Sequence, residues 1–83
     1  MLFKFNAEHI NRRAAVKLVR ELEDKGIEVE YANVGAMFTD ELDLVITGDQ
    51  VIADAVRARL WKENYGAFCD MKIITEDELD VLF

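Results

Sequence analysis

Serine and proline are absent from this chain, and histidine and cysteine occur once each, as His9 and Cys69. No apolar stretch approaches the roughly 18 residues of a membrane-spanning helix. Each absence closes a class of function. Without serine there is no Ser-His-acid triad, and nothing in the spacing supports a dyad of Cys69 with His9. One cysteine allows neither an intramolecular disulfide nor a cysteine-built zinc site, so Cys69 reads as a small core residue. With four glycines in all, there is no G-x-G-x-x-G and no phosphate-binding loop ending in lysine. The opening MLFKFNAEH has neither the apolar length nor the cleavage pattern of a signal peptide, so a cytoplasmic protein is expected. The sequence therefore predicts no enzyme, no cofactor and no metal.

What remains is an ordered, acidic domain. Apolar residues make up 52% of the 83, enough for a compact core and too many for a disordered tail. A chain of this length forms one domain, residues 1–83, that buries only about 60% of its unfolded surface. The formal charge is −7, which opposes non-specific binding to nucleic acid, because that affinity comes largely from neutralised phosphates. The charge is uneven, however. Arg12, Arg13, Lys17 and Arg20 fall in a segment without acids, while Glu76, Asp77, Glu78 and Asp80 crowd the other end.

Taken in order, Leu2, Phe3 and Phe5 read as a first strand. Asn6 and Asn11 are both candidate caps for a helix whose apolar stripe is Ile10, Ala14, Ala15, Leu18, Val19 and Leu22, with Gly26 as its stop. Ile27, Val29 and Tyr31 alternate with Glu28 and Glu30, as on an edge strand with one wet face. The run Leu44-Val45-Ile46 has no polar alternation and suits a strand covered on both faces, hence a parallel sheet. Thr47 with Gln50 suggests a capping box for a second helix, buried through Ile52, Ala55, Val56 and Leu60. Its strand-Gly48-helix junction is of the kind that receives anions, although one glycine alone usually marks architecture. Met71, Ile73 and Ile74 give a fourth strand, and Thr75 with Glu78 a second capping box before a last helix at Leu79 and Leu82.

The expected fold is α/β, a three-layer β-α-β-β-α-β-α domain. Right-handed crossovers put the first and third strands in the centre of a four-stranded parallel sheet of order 2-1-3-4, flanked by three helices. The eight residues 34–41 reach about 26 Å, enough to cross a sheet end. A hairpin between the second and third strands is the competing topology.

Three groups of residues are candidates for contact. Arg12, Arg13 and Lys17 can meet a phosphate or an acidic partner; a solvated helix face is the commoner outcome for such residues. Met37, Phe38 and Trp61 are large apolar residues outside the stripes, either folded onto the core or exposed for a partner. Asp40, Glu41, Asp43 and Asp49 are of a type that binds Mg²⁺ or forms a phosphoacceptor pocket, yet solvated acidic loops are far more frequent.

Several strings, in their order and spacing, resemble BRCT domains, especially the compact type at the C-terminus of bacterial NAD-dependent DNA ligases. Asn11-Arg12-Arg13-Ala14 resembles the basic opening of that family's first helix. Leu22 to Val29, LEDKGIEV, resembles the helix end, glycine and second strand, and LDLVITGD the third strand with its glycine. DAVRARLWKENYGA and KIITEDELDVLF resemble the second helix with its turn, and the last strand with the final helix. The resemblance implies the parallel 2-1-3-4 sheet and a non-catalytic protein-interaction or scaffolding module of DNA replication or repair. Phosphate-binding members place Ser or Thr before Gly after the first strand, and a Lys early in the second helix. Here those places hold Asn6-Ala7 and approximately Val51.

Two functional expectations follow. In the first, the chain is such a module, binding a protein partner and touching DNA phosphates weakly, if at all, through Arg12, Arg13 and Lys17. In the second, it is a small acidic regulator or inhibitor, of phage or mobile-element type, that covers a basic protein surface with its carboxylates.

Overall fold

A computed structural model describes residues 1–35, 41–63 and 69–82 of the chain. The elements are β1 (Leu2–Glu8), α1 (Arg12–Asp24), β2 (Glu28–Val34), β3 (Glu41–Thr47), α2 (Gln50–Glu63), β4 (Cys69–Ile74) and α3 (Glu76–Leu82). Their succession is the one read from the sequence, but the sheet is not. Its strand order is β2-β3-β1-β4, and every neighbouring pair is antiparallel. The parallel sheet of order 2-1-3-4 is thereby overturned. β1 and β3 are central, as expected, while β2 lies beside β3 and β4 beside β1.

The reason lies in the connections. A crossover through α1 carries the chain from β1 to β2 but leaves a gap one strand wide, and β3 returns antiparallel to fill it. The crossover through α2 likewise spans β1 to reach β4. Adjacent antiparallel strands need only a loop, whereas adjacent parallel ones need a crossover. So the segment 34–41 does not cross a sheet end; Gly35 N–H donates to the Glu41 carbonyl at 2.7 Å, closing a β2-β3 hairpin. The result is the split βαβ arrangement, with α3 added.

Alternation divides β1 between two faces. Phe3, Phe5 and Ala7 are fully buried beside Ile46, Leu44 and Leu42 of β3. Ile10, Ala15, Leu18, Leu22, Ala53, Val56 and Leu60 close this core from the helical side. On the opposite face α3 lays Leu79 and Leu82 over Val45, Ile74, Leu2 and Tyr31. Val45 is therefore fully buried although it points away from α1 and α2. Leu44, Val45 and Ile46 are covered on both faces, as their apolar run suggested, without a parallel sheet.

Local signals set the helix ends. Asn11, not Asn6, caps α1, its side chain accepting from Arg13 N–H at 2.8 Å and Ala14 N–H at 3.4 Å. At the other end Gly26 has φ 81°, and the N–H groups of Ile27 and Gly26 donate to the carbonyls of Leu22 and Glu23, a Schellman stop. α2 is capped by Asp49, which accepts from Ile52 N–H at 2.9 Å. Thr47 belongs to β3 instead, and its hydroxyl donates to Glu30 across the sheet at 2.9 Å. Thr75 caps α3 as expected, accepting from Glu78 N–H at 3.2 Å. β2 is an edge strand, but a bulge between Val29 and Tyr31 puts Val29 on the core face and Tyr31 opposite Val45 on the other.

Candidate functional site

The three basic candidates share the outer surface of α1. Arg12, Arg13 and Lys17 are exposed, and with Val16 and Arg20 they border one broad open groove that ends at Glu21 and Asp24. The spacing of 12, 16, 20 and of 13, 17, 21 explains this, because residues four apart share a helix face. Arg12 and Arg13 occupy a first turn that has no acid, at the positive end of the helix dipole. The surface can receive an anion; it is open, with no buried polar group behind it.

Beside it runs a narrower apolar trough between α1 and α2, about 380 Å³ in volume. Leu18, Leu22, Ile27, Ile52, Ala55 and Val56 floor it. Arg59 bridges the two helices by pairing with Glu21 at 2.8 Å. The hydrogen bond from Arg59 holds the Glu21 carboxyl below its ordinary value, desolvation opposes that shift, and the charges of Arg59, Lys17 and Lys25 reinforce it.

The open face of the sheet carries a polar group whose members the sequence named but did not bring together. Beyond the part covered by α3, Asn6 donates both amide hydrogens, to Glu41 at 2.9 Å and to Asp43 at 2.7 Å. A cleft of about 160 Å³ joins Asn6 and Asp43 to Lys4, Asp70 and Lys72. The signal was present in the alternation of Lys4, Asn6 and Glu8 with Phe3, Phe5 and Ala7. It was masked because Asn6 also reads as a helix cap.

The remaining candidates are dispersed. Trp61 is 57% exposed on α2. Met37 and Phe38 lie outside the described residues, as does Asp40. Of the other acids, Glu41 and Asp43 sit at the start of β3 and Asp49 beyond its far end, about 20 Å away at 3.4 Å per residue. Among the described residues no group of three His, Cys, Asp or Glu side chains is placed to hold a metal ion. His9 is exposed just after β1, and the β1-β4 register puts Cys69 opposite Ala7.

Charge is segregated by face. Glu8, Glu28, Glu30, Glu41, Asp43 and Asp70 lie on the open side of the sheet, and Glu76, Asp77, Glu78 and Asp80 project from the α3 layer that partly covers it. Only Lys4 and Lys72 offset them there; every other basic residue belongs to α1, α2 or the turn after α1. No helix among the described residues is long and apolar enough to cross a membrane.

No family model, no curated protein and no solved structure matches this chain.

Proposed function

We propose that the chain is a non-catalytic, acidic docking module that lays the open sheet face and α3 against a basic surface of a protein partner. The observation that carries this reading is the segregation of charge: ten carboxylates against two lysines on one side of an 83-residue domain. A field of one sign over a single face steers an oppositely charged partner and speeds encounter. The BRCT resemblance lends less, since the parallel sheet it implies is replaced by an antiparallel one.

A second reading rests on the exposed cluster Arg12, Arg13 and Lys17, through which the same module would meet phosphates or an acidic partner. Nucleic-acid sheet readers stack bases on aromatic side chains. The open-face residues of β1 and β3 here, Leu2, Lys4, Asn6, Glu8, Glu41, Asp43, Val45 and Thr47, include none, and Tyr31 of β2 on the same face is packed into the cluster under α3. The DNA version therefore rests on α1 alone.

Affinity capture with two variants separates the readings. Replacing Glu76, Asp77, Glu78 and Asp80 by their amides is expected to release the partner, and replacing Arg12, Arg13 and Lys17 by Ala is expected to leave capture intact. The reverse pattern overturns the acidic-face reading. A titration with 5′-phosphorylated duplex DNA at several salt concentrations is expected to show no salt-dependent binding.

A further inference from the structure

The two edges of the sheet differ in how they end. An edge strand offers a row of free backbone donors and acceptors, and soluble proteins blunt it with bulges or charge. β2 is blunted in both ways, by its bulge and by Glu28 and Glu30. β4 has no bulge, pairing with β1 from Cys69 to Ile74 without a register shift, and its only charges are one of each sign, Asp70 and Lys72.

The charges on β4 are poorly matched by its own sheet. Lys72 stands directly opposite Lys4, a like-charge cross-strand pair, which is unfavourable. Asp70 stands opposite Asn6, whose two amide hydrogens are already taken by Glu41 and Asp43. Neither Asp70 nor Lys72 has an ion pair among the described residues. Above this edge lie two exposed apolar side chains. Ile73 is 59% exposed and Trp61 57%. On α2, Ile52, Ala55 and Arg59 face α1, while Ala53, Val56 and Leu60 face the sheet. At 100° per residue Trp61 then falls on the remaining flank, over the outer side of β4.

We propose that β4 pairs antiparallel with β4 of a second copy of the chain, about a twofold axis at Met71, giving a continuous eight-stranded sheet. Charge selects the register. Strands that keep both faces in common can be centred on residue 70, 71 or 72. The first sets Asp70 against Asp70 and the last Lys72 against Lys72, whereas centring on Met71 sets Asp70 of each copy against Lys72 of the other. Lys72 then gains the carboxylate that Lys4 denies it. Ile73 is carried to the start of the opposing β4, the end at which α2 delivers Trp61. The twofold axis is normal to the sheet, so the two acidic faces lie on the same side.

Charge reversal tests this, with sedimentation equilibrium as the readout and amide NMR spectra to verify folding. Asp70→Lys and Lys72→Asp are each expected to weaken self-association about tenfold, as two cross-strand pairs turn repulsive. An equimolar mixture of the two variants is expected to restore the dimer as a heterodimer, because one edge is then wholly basic and the other wholly acidic. Unmodified protein that stays monomeric up to millimolar concentration overturns the proposal. So does a single variant that associates like the original chain, or a mixture that remains monomeric.

Discussion

Gly26 and His9 both hold the backbone in the left-handed region, at φ 81° and 63°. Gly26 closes the Schellman stop of α1, and a Cβ added there meets nothing within 4 Å. Gly26→Ala is thus a test of backbone strain alone, and it is expected to lower stability by about 1 kcal/mol in urea unfolding. The Glu21-Arg59 pair makes a prediction in pH. A carboxyl whose pKa is lower in the folded chain contributes stability above its unfolded value, and that contribution is lost as pH falls through the folded value. The loss begins below about 4.5 for Glu21. Arg59→Ala is expected to flatten this acid limb and to move the Glu21 titration, followed by carboxyl NMR, up toward 4.5. The pair is solvated, so the effect on stability at neutral pH is small. At this scale the sequence was readable at three local caps, since Asn11, Gly26 and Thr75 act on their own helices, although Asp49, equally local, was passed over for Thr47. Thr47 and Asn6 were misread because their partners, Glu30, Glu41 and Asp43, lie on other strands.

Among the helices, α3 is the shortest, and it alone covers the second face of the sheet. It has only seven residues, and it is held by Leu79 and Leu82 together with the Thr75 cap and an acidic first turn that suits the helix dipole. Leu79→Ala is expected to cost about 2 kcal/mol and to raise hydrogen exchange in α3 well before β1 or β3. The same helix explains the misjudged sheet. Burial of Leu44, Val45 and Ile46 on both faces was legible, but its cause was not. In a parallel sheet the crossovers would cover the second face; here a helix formed after the last strand covers it. The charged face was likewise hidden, since it assembles residues from β1, β2, β3 and β4 that are distant in sequence. Arg12, Arg13 and Lys17 were found because a single helix brings them together.

For the whole molecule, net charge and local charge pull in opposite directions. Two copies at −7 each repel at long range, while the Asp70-Lys72 pairs attract at contact. The Debye length falls from about 30 Å at 0.01 M to about 10 Å at 0.1 M salt, which screens the first before the second. Self-association is therefore expected to strengthen as salt rises from 0.01 to about 0.1 M, and docking to a basic partner to weaken over the same range. Light scattering and a binding titration across one salt series check both signs.

The position of β1 also sets a timetable for folding. It is the first strand in the chain and lies between two later ones, with Leu2 beside Thr47 on one side and Ile74 on the other. The β2-β3 hairpin can close early, since its ends are near in sequence, but β1 must wait for β3, and the sheet is incomplete until β4 arrives. Long chain closures of this kind slow folding. Phe3 and Phe5 therefore reach full burial only once β3 and α2, made well after them, have closed on β1, and until then the two rings are exposed to non-native contacts.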